Sequence, residues 1–75
     1  MRTIILITGE IATGKSIVAR KIQNSVEVHD LEEVYKKDFI ENIVLTTTLD
    51  DIETKNILKK IAKKTGRMFI KMSTE

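Results

Sequence analysis

The chain contains no cysteine and no proline, one histidine, three glycines and no tryptophan in 75 residues. Without cysteine, a disulfide scaffold and any thiolate metal site are excluded. The thiol-free composition fits the cytoplasm. Only Tyr35, Phe39 and Phe69 are aromatic, which gives poor support for stacking nucleobases along a strand. No apolar run approaches the ~20 residues needed to span a membrane. In the opening MRTIILITGEIA the apolar run is Ile4–Ile7, ended by Thr8, Gly9 and Glu10. That is too short for a secretory core. Repeats, low-complexity tracts and linkers are also missing. These absences point to a cytoplasmic protein with no membrane partner.

What is present suits one folded domain spanning residues 1–75. The hydrophobic content is 41%, ordinary for a globular chain. A chain this short buries only roughly 60% of its unfolded surface. Domains of about this size often draw on self-association, so a homo-oligomer is expected. The net charge is +2. The basic residues crowd the last third, at Lys55, Lys59, Lys60, Lys63, Lys64, Arg67 and Lys71.

Apolar β-branched residues fill Thr3 to Thr8 (TIILIT), as in a strand covered on both faces. Residues from Lys15 to about Asn24 read as a helix with Ile17, Val18 and Ile22 inward. VEVH, from Val26 to His29, alternates like a short strand at or near a sheet edge. Asp30 with Glu33 marks the start of a helix that runs from 31 to about Phe39, with Leu31, Val34 and Tyr35 on one face. A third strand spans Ile43 to Leu49. Asp50 with Glu53 opens a helix carrying Ile57, Leu58, Ile61 and Ala62 inward, and Gly66 should stop it. RMFIKM, from Arg67 to Met72, is a last strand. Strict alternation of strand and helix predicts an α/β fold: a mostly parallel sheet of about four strands with three helices in two or three layers.

The stretch GEIATGKS, residues 9 to 16, lies between the first strand and the first helix. It matches G-x-x-x-x-G-K-[ST] at Gly9, Gly14, Lys15 and Ser16. In that setting backbone N–H groups turn around an anion, and the helix start adds its dipole. Gly9, Glu10, Ile11, Ala12, Thr13, Gly14, Lys15, Ser16 and Ile17 are therefore the expected phosphate contacts. Lys15 suits the β- and γ-phosphates, and Ser16 offers a hydroxyl to Mg²⁺. Over TIILITGEIATGKSIVARKI, residues 3 to 22, the chain resembles the P-loop NTPase superfamily, although it is unusually short for one. The resemblance implies a nucleotide partner, ATP ahead of GTP, with Mg²⁺, and a catalytic role for Lys15.

Such proteins normally carry a second acidic site at the end of an apolar strand. Asp30 is one candidate, as a magnesium-binding and catalytic carboxylate. It would approach Ser16 if its strand lay beside the first, and it also reads as a plain helix cap. The other candidate segment is IVLTTTLDD, whose acids come late, after Leu49, with Asp50 well explained as a cap. Its IVLTTT resembles the sensor strand of recombinase-like and hexameric-translocase ATPases. There Thr46, Thr47 or Thr48 would face the γ-phosphate, and plain β-propensity explains the same threonines. His29 reads as a half-exposed strand residue. Arg67 is the one arginine considered for reaching a neighbouring subunit's nucleotide.

Lys55, Lys59 and Lys63 share one helix face. That face is either solvated or a contact for nucleic acid or an acidic protein partner. The expected function is Mg-dependent nucleoside triphosphate binding with slow or partner-dependent hydrolysis. The alternatives are a regulatory or adaptor protein working through the basic helix, and a small-molecule kinase, for which the chain has little room.

Overall fold

The computed structural model describes residues 2–10 and 14–74. Its elements run β1 (Thr3–Thr8), α1 (Lys15–Arg20), β2 (Ser25–Val28), α2 (Leu31–Lys36), β3 (Asn42–Thr47), α3 (Ile52–Lys64) and β4 (Met68–Ser73). The four strands form one sheet in the order β2-β3-β1-β4, and every pairing is parallel. The α/β architecture is the one expected from the alternation of elements. β2 lies at an edge, as its alternating pattern foretold.

β1 is the centre of the molecule. Its six residues are all buried, and it pairs with β3 on one side and β4 on the other. Residues on its two faces feed two separate cores. Ile4 and Leu6 pack with Val28, Val34, Ile43, Leu45, Leu58, Ile61 and Ala62, beneath α2 and α3. Ile5 and Ile7 pack with Val44 and Ala19, beneath α1. Full burial of side chains such as Ile4, Ile7 and Leu58 stabilises the fold by about 1.5–3 kcal/mol each.

Crossover handedness accounts for the three layers. From β1 the chain moves two places to reach β2. It then moves the opposite way from β2 to β3 and from β3 to β4. Right-handed crossovers in opposite directions must cover opposite faces. α1 therefore takes one face, and α2 and α3 take the other.

Several boundaries differ from the sequence reading. α1 ends at Arg20 and gives way to tight turns, with the Lys21 and Ile22 N–H groups donating to Val18 and Ala19. Val18 and Ile22 pack beside Ala19 on the inner face, while Ile17, expected inward, is 59% exposed. Tyr35 is also exposed, because the short α2 turns only Leu31 and Val34 toward the core. Asp51 caps α3 by accepting from the Thr54 N–H at 2.7 Å. Asp50, expected in that role, pairs instead with Lys71 at 3.3 Å.

Arg67 corrects another expectation. α3 closes at Thr65, and Gly66 takes a positive φ of 69°. The Arg67 N–H then returns to the Ala62 carbonyl at 2.8 Å, the pattern of a Schellman turn. This turn drives the Arg67 side chain, 1% exposed, under the amino ends of the strands. Its guanidinium donates to the carbonyls of Thr3, Glu41, Asp38 and Ile40 at 2.7–3.1 Å. Arg2 donates to the same Asp38 carbonyl. Arg67 is thus a buried brace at the amino end of the sheet, opposite the end where Thr8 and Thr47 lie, and it cannot serve as an arginine finger.

Replacing Arg67 with Ala should cost about 3–5 kcal/mol, because four carbonyls lose a charged donor in a buried place. A domain of this size has roughly 4–11 kcal/mol in total. Urea denaturation should show the variant largely or wholly unfolded at 37 °C. A midpoint within experimental error of the wild type would contradict this role.

Candidate functional site

In open parallel sheets, ligands bind beyond the carboxyl ends of adjacent strands whose connections leave to opposite faces. Here those strands are β1, followed by α1, and β3, followed by α3. Their last paired residues are Thr8 and Thr47. Gly9 and Glu10 follow Thr8 out of the sheet at that place.

Gly14 is the N-cap of α1, with φ 86° and ψ 20°. A side chain at such angles is strained by about 1–2 kcal/mol. A Cβ there would meet nothing within 4 Å, so the backbone angle, and not space, calls for glycine. α2 and α3 are capped by Asp30 and Asp51, whereas glycine gives the start of α1 no side-chain acceptor. Lys15 reaches back across the loop, and its Nζ donates to the carbonyls of Gly9 at 2.8 Å and Glu10 at 2.7 Å. Gly14, Lys15, Ser16 and Ile17 line an open depression of about 360 Å³. Ile11, Ala12 and Thr13, expected among the phosphate contacts, lie outside the described residues.

The acid beside Ser16 is Glu27, not Asp30. β3 separates β2 from β1, so the condition that would have carried Asp30 to Ser16 is not met. Asp30 instead caps α2, accepting from the Glu33 N–H at 2.9 Å. Glu27 pairs in register with Val44, and Val44 belongs to the core beneath α1. Glu27 therefore points toward the first turn of α1. Its Oε2 accepts from the Ser16 hydroxyl at 2.8 Å and from the Thr46 hydroxyl at 2.7 Å.

Continuing the β2–β3 register sets His29 level with Thr46. Thr46 Oγ1 lies 3.1 Å from His29 Nδ1. The single Thr46 hydroxyl hydrogen goes to Glu27, so His29 must donate from Nδ1. This places the tautomer by hydrogen count. The result is a relay of polar groups from α1 through β2 to β3: Ser16, Glu27, Thr46 and His29. Thr47 caps its own turn, its Oγ1 accepting from the Leu49 N–H at 3.1 Å.

Burial alone would raise the Glu27 carboxyl. The hydrogen bonds from Thr46 and Ser16, with Coulombic attraction to His29 when that ring is protonated and to Arg20, outweigh burial and hold it below its ordinary value. Glu27 is consequently ionised at neutral pH. Among the described residues no group of three His, Asp or Glu side chains is arranged to hold a metal ion. A cation here would have one carboxylate and neighbouring hydroxyls from the protein.

The lysines of α3 lie on the other side of the sheet from α1. Lys59, Lys60, Lys63 and Lys64 are exposed, and Lys55 is partly buried. Lys60 and Lys64 flank a separate groove of about 200 Å³ between Tyr35, Ile57 and Ile61. Among the described residues, no helix is long and apolar enough to cross a membrane. Comparisons with protein-family models, curated proteins and solved structures find no match for this chain.

The folded-state pKa of Glu27 is depressed, so its contribution to stability is complete above its ordinary value of 4.5 and fades as pH falls through the folded value. NMR titration of the Glu27 side-chain carboxyl should give a midpoint below 4.5. A midpoint above that value would mean that burial outweighs the two hydroxyl donors.

Proposed function

We propose that this chain is a minimal phosphate-loop domain that binds a Mg²⁺–nucleoside triphosphate, ATP ahead of GTP, at the carboxyl edge of β1 and β3. The observation that carries this reading is that the start of α1 presents two of the three groups the ligand needs and β2 brings the third. They are the Lys15 ammonium folded over the loop, the Ser16 hydroxyl, and the ionised Glu27 carboxylate.

The donor set fits the ligand. The first turn of an α-helix leaves backbone N–H groups without helical partners, and glycine at the N-cap leaves the approach open. The Lys15 ammonium has three N–H donors. It can exchange its Gly9 and Glu10 carbonyls for phosphate oxygens by rotating its flexible stem. Mg²⁺ typically takes one or two protein carboxylates or hydroxyls, with phosphate oxygens and water completing its shell. Ser16 and Glu27 offer one of each. When bound, the cation neutralises phosphate charge. The Thr46 and Ser16 hydroxyls hold Glu27 ionised and in place.

Hydrolysis by the isolated chain is slow in this proposal. Arg67 is committed to the opposite end of the sheet, and the depression lined by Gly14, Lys15, Ser16 and Ile17 is open to water. A partner would supply the missing charge and cover.

Isothermal titration with Mg-ATP, Mg-GTP and inorganic phosphate tests the proposal. Wild type should bind a triphosphate, and Lys15→Ala should weaken it by about 10- to 100-fold, the loss of one or two charge-assisted hydrogen bonds. Glu27→Gln should remove most of the Mg²⁺ dependence while sparing metal-free phosphate affinity. Absence of triphosphate binding by a folded wild-type chain would refute the reading. Salt-sensitive DNA binding in its place would favour an adaptor acting through Lys59 and Lys63.

A further inference from the structure

The two edges of the sheet are unequal. β2 is four residues long and carries Glu27. β4 is six residues long, reads MFIKMS, and has Lys71 as its one charge. Short or charged edges resist pairing with other chains, whereas long apolar ones invite it.

The direction of the β4 backbone is set by two hydrogen bonds at its ends. The Met68 N–H donates to Arg2 O at 2.9 Å, and the Thr74 N–H donates to Thr8 O at 3.0 Å. In a parallel ladder alternate residues face the same neighbour. Met68, Ile70, Met72 and Thr74 therefore bond toward β1. The N–H and C=O groups of Phe69, Lys71 and Ser73 point away from the sheet.

The side chains alternate in the other dimension. Phe69 packs against the core beneath α2 and α3, and Ile70 against the core beneath α1. Met68, Ile70 and Met72 thus share the α1 face. α1 itself lies over β1, β2 and β3. Met68 and Met72 are left 47% and 39% exposed. Lys71, the residue type that commonly blocks an edge, is drawn onto the other face by Asp50 at 3.3 Å.

We propose that β4 pairs antiparallel with β4 of a second copy of this chain, about a two-fold axis at Ile70, to make a continuous eight-stranded sheet. The register follows from the observations above. Outward groups must face outward groups, which restricts the pairing to a few choices. An axis at Lys71 would set two like charges opposite each other, which is unfavourable. An axis at Ile70 sets Phe69 opposite the second copy's Lys71, each pair exchanging two backbone hydrogen bonds. On the α1 face it aligns Met68 with the second copy's Met72 and brings the two Ile70 side chains together in a close, non-hydrogen-bonded pair. The same strand satisfies both copies, as a two-fold interface requires. A second copy also supplies apolar burial that a chain of this length lacks.

Sedimentation equilibrium from roughly 1 μM to 1 mM should show reversible association to the mass of two 8.6 kDa chains. Met68→Glu and Met72→Lys each change an exposed side chain, and circular dichroism should show both variants folded. Each should weaken self-association at least about tenfold. Their equimolar mixture should recover a heterodimer, because Glu at 68 then faces Lys at 72. A wild type that stays monomeric across the range overturns the proposal. So does dimerisation that neither variant weakens, or a mixture that fails to associate.

Discussion

Burial of β1 on both faces and pairing along both of its edges is the constraint from which the rest of the molecule follows. A strand covered on two sides needs apolar residues on consecutive positions, and Ile4, Ile5, Leu6 and Ile7 supply them. Two cores form in consequence, one above and one below, each too small to stand alone. The strand order β2-β3-β1-β4 sends the first crossover one way and the last the other. That reversal opens the crevice at the carboxyl ends of β1 and β3. Gly14, Lys15, Ser16 and Ile17 line an open depression at the start of α1.

Within the crevice one carboxylate oxygen organises the side chains. Glu27 Oε2 ties the start of α1 to β3 through two hydroxyls, and each bond favours the charged form. This arrangement keeps an anion half-buried without an arginine or lysine bound to it. It also keeps the Lys15 ammonium free for the loop carbonyls instead of for Glu27. The ammonium and the carboxylate are thus held apart, which is the separation needed if one is to meet phosphate and the other a cation. At the far end of the sheet, Arg67 does the opposite kind of work. Its guanidinium donates to four backbone carbonyls and lies 3.8 Å from the Asp38 carboxylate, and it closes the bottom of the fold.

Much of this was legible in the residues. The consecutive apolar run of β1 announced a buried parallel strand, and the alternating VEVH placed β2 at an edge with Val26 and Val28 inward. The glycine, lysine and serine spacing singled out the segment between β1 and α1, and Gly14, Lys15 and Ser16 line an open depression. What stayed hidden depended on contacts distant in sequence. Glu27 read as the polar side of an edge strand, and polar edges usually face water. Only the placement of β2 beside β3, under the first turn of α1, turns that side toward Ser16 and Thr46. Asp30 read equally well as ligand and cap, and strand order decided for the cap. Arg67 looked like a free cation because sequence shows no partner for it. Its partners are carbonyls at residues 3, 38, 40 and 41, which carry no side-chain signal. Ile17 was misplaced because α1 is too short for its outer face to matter to the core.

Amide chemical-shift mapping during addition of Mg-ATP tests the central claim most directly, since it reports where a ligand lands as well as whether it binds. The account predicts the largest shifts at Gly14, Lys15, Ser16 and Ile17, a smaller set at Glu27 and Thr46, and little change along α3. Shifts confined to the lysines of α3, or none at saturating nucleotide, would contradict it.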